Sequence, residues 1–178
     1  MKLSQYKKLI VAGRQSLIKA FTLLELVVTI TIIAVLATLS IPGFKSQRNK
    51  AETVVCMSHM RGLHVAFDSY MIDKNHWPQM PEAIFLSDND SDFWRWWILT
   101  MTPYGGDETF WLCPSDKVMK ESKDEYNGSY LPTRFDAKHH TPYRWANQPW
   151  LLERGNLHKK GAHILMLDGS IHSSQDVF

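Results

Sequence analysis

The 178 residues hold 20 lysines and arginines against 18 aspartates and glutamates, a formal charge of +2 with histidine neutral. Lys2, Lys7, Lys8, Arg14 and Lys19 all precede Phe21 with no acid among them, so the chain beyond is net acidic and offers no basic face for nucleic acid. With that leader and the apolar segment after it set aside, roughly 100–130 residues remain, enough for one modest core and too few for two domains.

Residues 1–20 read as a basic leader. Phe21–Ile41 follows as an apolar run, and about 20 such residues span a bilayer. Its one ionisable side chain is Glu25. A carboxylate at bilayer depth costs roughly 3 kcal/mol on insertion scales, so it needs a partner and marks function. Two plainer readings compete. A conventional secretory signal is cut beyond its apolar run, and Val35-Leu36-Ala37 offers a site that releases the chain from Thr38. A simple single-pass anchor needs only the length. Neither explains an acid near the start of the run. Five basic residues before the span, against Lys45, Arg48 and Lys50 after it, point the N-terminus to the cytoplasm and the remainder outward. There the two cysteines, Cys56 and Cys113, face an oxidising space.

Residues 42–74 continue the helix. Pro42-Gly43 predicts a kink. Beyond it Cys56, Met60, Leu63, Phe67 and Tyr70 or Met71 recur at spacings of four and three, a narrow apolar stripe with Arg61 and Asp68 off it. Asn75-His76-Trp77-Pro78 ends the pattern. Residues 75–178 form the head. Glu108–Cys113, Tyr143–Ala146 and His163–Leu167 are strand candidates, and Asp168-Gly169 predicts a type I′ hairpin turn into Ser170–Ser174. The expected fold class is α+β: a long N-terminal α-helix, transmembrane then amphipathic, packed on a small antiparallel sheet. Seven tryptophans serve either a core short of aliphatics or a contact surface around Phe93-Trp94-Arg95-Trp96-Trp97.

The order of basic leader, small residue, phenylalanine and apolar helix with an acid at its fifth position resembles the prepilin-type signal of the type IV pilin and type II secretion pseudopilin family. The resemblance implies cleavage between Ala20 and Phe21 by a prepilin peptidase, where the family usually has Gly before the cut, and methylation of the new N-terminus. It implies assembly through the helix with other pilin-like subunits and an inner-membrane platform. His158, nine intervening residues and Asp168-Gly169 are similar to the His-x9-Asp-Gly signature of one pilin-like subgroup, and Cys113-Pro114-Ser115-Asp116 resembles a stretch found in many of those chains. Glu25 is then expected to pair with the Phe21 amine, within a subunit or between neighbours, where low dielectric strengthens the attraction.

Other chemistry is thinly supported. His158 and Asp168, with His163 and His172 nearby, invite a catalytic or metal reading, because His163 and His172 fall nearly opposite each other across the predicted turn. The plainer view has turn geometry demanding Asp168 and Gly169, with His158 bonded to a loop carbonyl. Ser87–Asp92 alternates oxygen donors, but Phe93 stands where an EF-hand needs Gly; a calcium site of another kind stays open, and otherwise no cofactor is expected. Cys56 on the stripe and Cys113 at a strand end are expected to form a disulfide, the alternative being two separately buried cysteines. No serine-nucleophile, phosphate-loop or zinc-protease motif is present. The expected function is a pilin-like structural subunit and not an enzyme. A membrane-tethered binding module and a tethered hydrolase using His158 and Asp168 are the rivals.

Overall fold

The computed structural model describes residues 21–145, 147–158 and 161–177; the leader, with Ala20 in it, lies outside them. Chain contacts divide the protein into two units, with the division at Gly43/Phe44. Helix α1 (Leu23–Lys74) contributes to both.

In the first unit, Leu23–Ser40 is long and apolar enough to cross a membrane, and none of it is buried. It is rich in β-branched residues, which are mediocre helix formers in water. In hydrocarbon the alternative is worse, since every unbonded amide costs several kcal/mol. The hydroxyls follow the same logic. Thr29, Thr31, Thr38 and Ser40 each donate to a carbonyl three or four residues back, at 2.7–2.8 Å. The start is a capping box: Thr22 Oγ1 accepts from the Glu25 amide at 3.2 Å, while Glu25 Oε2 accepts from the Thr22 amide and hydroxyl, both at 3.0 Å.

The second unit holds the later part of α1 and the head. Cys56, Met60, Leu63, Phe67 and Met71 are all fully buried, as the stripe predicts, and fully burying each such side chain contributes about 1.5–3 kcal/mol. The helix stops where Asn75 turns left-handed (φ 60°) and its amide closes on Met71 O at 2.9 Å. Short α2 (Glu82–Phe85) leads to α3 (Asp90–Met101), whose Trp94, Trp97, Ile98 and Met101 face inward. Strands β1 (Tyr130–Pro132), β2 (Pro149–Glu153), β3 (His163–Met166) and β4 (Ile171–Ser173) form one antiparallel sheet in sequence order. The fold is α+β.

Five tryptophans, Trp77, Trp94, Trp97, Trp111 and Trp150, are at most 2 % exposed. Trp77 stacks on Phe67 with ring centroids 4.6 Å apart and meets Trp150 edge-on at 5.1 Å, geometries that add to simple burial. Gly128 lies against this core, where a Cβ would come within 2.5 Å of the Trp94 ring.

Three local expectations are corrected. Glu108–Cys113 is not a strand: Glu108–Trp111 is a 3-10 helix, capped by Asp107, which accepts from the Thr109 amide, and held by Trp111 Nε1 bonding to Gly106 O. Tyr143–Ala146 is not a strand either. Short α5 (Thr141–Arg144) starts with Pro142 in its first turn, where a missing amide is harmless; Ala146 lies outside the described residues. The β3–β4 hairpin exists, but its turn is not type I′, because only Gly169 (φ 76°) is left-handed and Asp168 is not. The Gly169 amide bonds to Met166 O and the Met166 amide to Ser170 O, the three-residue loop with a glycine bulge.

Candidate functional site

The register of that hairpin decides the histidine question. Ile164 pairs with His172 and His163 with Ser173, so the two histidines sit on opposite faces of the sheet. His163 is buried and His172 exposed. They form no shared metal site. Asp168 is likewise local: exposed, it accepts from the Ser170 amide at 2.9 Å.

His158 belongs elsewhere. It is buried, and it bonds not to a loop carbonyl but to side chains from three segments. Its Nδ1 is 3.1 Å from Thr53 Oγ1 on α1, and its Nε2 is 3.4 Å from Cys113 Sγ. The same Nε2 lies 3.2 Å from Glu153 Oε1 at the end of β2. Cys56 and Cys113 are joined as a disulfide with Cα atoms 5.0 Å apart. The cysteines arrive from α1 and from the segment after the 3-10 helix. Cys113 is further held by a buried relay: its amide donates to Ser129 Oγ, which donates to Asp116 Oδ2. Asp116 also caps α4 (Lys117–Glu121) through the Met119 amide. This accounts for the aspartate of the Cys-Pro-Ser-Asp stretch; its serine, Ser115, instead donates to Glu52 Oε2 on α1 at 3.1 Å.

Glu153 is absent from the sequence reading, and His163, expected opposite His172, contacts Glu153 instead. The signal was there in part, because Trp150, Leu151 and Glu153 all point inward on β2, and a carboxylate in that company needs partners. Glu153 Oε2 accepts from the His163 amide at 2.9 Å and lies 3.3 Å from His163 Nδ1. Burial alone pushes its carboxyl up, but the His158 and His163 side chains and the His163 amide outweigh that, and the net shift is downward. Glu153 Oε1 is within ion-pair distance of His158 but off the hydrogen-bond axis, so it is buried without a true hydrogen-bond partner.

The acidic run Ser87–Asp92 serves a helix start. Asn89 caps α3 through the Ser91 amide, Asp92 accepts from Asn89 Nδ2, and Asp90 pairs with Arg154 at 3.0 Å. Nor do the tryptophans of Phe93–Trp97 make a contact surface as a group: Trp94 and Trp97 are core, and Trp96 is half-buried, edge-on to Trp97 at 4.9 Å. In the first unit, Phe21 is exposed and Glu25 answers Thr22 of its own chain.

Known proteins match over part of the chain. Type II secretion system core protein G of Escherichia coli strain K12 is 40 % identical over 66 residues, 37 % of this chain and 46 % of that protein. The protein of the same name from Pectobacterium carotovorum subsp. carotovorum is 35 % identical over 66 residues, 37 % of this chain and 42 % of its own. The one from Aeromonas hydrophila is 34 % identical over 64 residues, 36 % and 45 % respectively. The chain thus spans just under half the length of the curated relatives it matches. No family model and no solved structure matches it. The chain is thus similar over that stretch to type II secretion system core protein G, and it carries an exposed apolar helix that opens on Thr22 and Glu25.

Proposed function

We propose that the chain is a pilin-like structural subunit of a type II secretion system or a related pilus-type assembly. It is made with a basic leader, cut between Ala20 and Phe21 by a prepilin peptidase, methylated at Phe21, and polymerised with other pilin-like subunits on an inner-membrane platform. The observation that carries this reading is Leu23–Ser40, apolar and with none of its residues buried. A segment so built has lipid or copies of itself as its natural surroundings. The head faces the oxidising side of the membrane, consistent with five basic residues ahead of the span and with the Cys56–Cys113 bridge. The chain turns over no substrate. His158 and Asp168, the pair a hydrolase would use, serve separate local roles in the head.

The test is co-expression with a prepilin peptidase, followed by intact-mass and N-terminal sequencing of the membrane-extracted protein. The expected product begins with N-methyl-phenylalanine at position 21. A product that keeps Met1, or begins at Thr38, rejects the proposal.

A further inference from the structure

Four side chains converge at one point inside the second unit. One ligand-capable atom from each of Cys56, Cys113, Glu153 and His158 lies within 4.8 Å of all the others, and all four residues are buried. His158 Nε2 is 3.4 Å from Cys113 Sγ and 3.2 Å from Glu153 Oε1. Such separations suit the edges of a tetrahedron around an ion with bonds of about 2.0–2.3 Å, as zinc makes to nitrogen, oxygen and sulfur. Hydrogen bonding accounts for the sulfur contact but not for the carboxylate one, since Glu153 Oε1 is buried with no hydrogen-bond partner.

The surroundings are those of a supported ligand set. With Nδ1–H directed at Thr53 Oγ1, 3.1 Å away, the His158 ring presents the lone pair of Nε2 to the cluster. The His163 amide holds the other Glu153 oxygen at 2.9 Å. Outer contacts of this kind fix the tautomer and aim of metal-bound histidines and carboxylates. A cavity of about 720 Å³, lined in part by Thr53, His158 and His163, gives a route in from solvent. What the oxidised chain lacks is ligand strength, because a disulfide sulfur is a poor donor and a thiolate a strong one. Every chain is synthesised with thiols, so a dithiol form precedes the bridge.

We propose that, in its dithiol form, the chain holds one divalent transition-metal ion, zinc by its donor set, on Cys56 Sγ, Cys113 Sγ, His158 Nε2 and a Glu153 carboxylate oxygen. Binding releases the two thiol protons to solvent as the sulfurs become thiolates. Oxidation then reverses occupancy. A disulfide of a thiol-oxidising partner takes two electrons from the two thiolates and two protons from solvent and becomes a dithiol, the Cys56–Cys113 bond forms, and the ion leaves. Ion and bridge exclude each other, and the ion holds the two sulfurs together until the bridge replaces it.

The experiment uses the full-length chain in detergent micelles under argon, reduced with a dithiol that is then removed, and titrated with cobalt(II) as the spectroscopic probe. The expected result is equimolar uptake with thiolate charge-transfer bands and the intense visible bands of a tetrahedral site, displaced by zinc and absent from the oxidised chain. His158→Ala and Glu153→Gln each weaken or reshape the bands. Thr53→Val, which leaves all four ligands, lowers affinity at least tenfold. Each variant is checked in its disulfide form for native tryptophan fluorescence, so that misfolding is not mistaken for a lost ligand. Uptake by the reduced chain no greater than by Cys56→Ser/Cys113→Ser, whether or not the reduced chain stays folded, overturns the proposal. So do bands indifferent to both His158→Ala and Glu153→Gln, which indicate a chelate of the two thiolates alone.

Discussion

Thr53 and His158 lie 105 positions apart in sequence and meet at 3.1 Å. That contact ties α1 to the segment after β2 beside the Cys56–Cys113 bridge, so one helix turn is held both covalently and by a part-buried polar bond. The two fastenings differ in chemistry and can be released separately, by reduction or by substitution.

Cys56→Ser or Cys113→Ser removes a cross-link between positions 57 apart. By the chain-entropy account the loss is about 4 kcal/mol. The double variant costs little more than either single one, because the bond is already gone. Urea unfolding of the detergent-solubilised chain, followed by tryptophan fluorescence, measures both expectations.

Acid weakens the head through Glu153. Its folded carboxyl titrates below the ordinary glutamate value of 4.5, so the folded state takes up a proton less readily than the unfolded one. Its stabilising contribution is full above that ordinary value and is lost as pH falls through the lower folded value. Glu153→Gln therefore gives a flatter plot of unfolding midpoint against pH on the acid side. An acid limb as steep as wild type contradicts the assignment.

The tryptophans divide by burial. Trp77→Ala empties a fully buried site between Phe67 and Trp150 and costs about 3–5 kcal/mol. Trp145 is 54 % exposed, and Trp145→Ala stays within about 0.5 kcal/mol of wild type. Thermal midpoints of the two variants, measured side by side, test the division.

Gly128→Ala forces a methyl to within 2.5 Å of the Trp94 ring. The ring is itself enclosed by Phe93 and Trp111, at 5.1 and 6.0 Å between centroids, so it has little room to withdraw. The expected loss is about 1–3 kcal/mol, read from the same thermal scans.

Thr22 and Glu25 separate capping from assembly. Thr22→Ala removes the hydroxyl of the capping box and costs about 1 kcal/mol at the helix start, yet leaves the carboxylate in place. Glu25→Ala removes the carboxylate that the proposed assembly pairs with the Phe21 amine of a neighbour. In a cysteine crosslinking assay between subunits, the expected outcome is near-normal yield for Thr22→Ala and a large drop for Glu25→Ala. Equal yields from the two variants reduce Glu25 to a cap.

Periodicity made the helix legible. The spacing of Cys56, Met60, Leu63, Phe67 and Met71 marks the buried face because a helix repeats its face every three to four residues, and Asn75 marks the end because it tolerates left-handed backbone. The head was less legible. Glu108–Cys113 looks like a strand on β-propensity, but Asp107 offers the chain a local cap that a strand cannot use. The Asp168-Gly169 pair marked a hairpin correctly and its geometry wrongly: one added loop residue moved His172 opposite Ile164, and a shift of one position turns a side chain to the other face. Glu153 is hard to read because its partners come from positions 158 and 163, and only its apolar neighbours Trp150 and Leu151 set it apart from a surface glutamate. His158 was noticed, but its neighbours are set by long-range packing that no short pattern encodes.

The inward bonding of Thr29, Thr31, Thr38 and Ser40 carries a consequence for any bundle built from this rod. Each hydroxyl proton is already engaged with its own backbone, so the span presents neighbours with a nearly uniform greasy cylinder beyond Glu25. Such a cylinder resists neither rotation about its axis nor sliding along it. Axial position then falls to the charged tip, and azimuth to the heads.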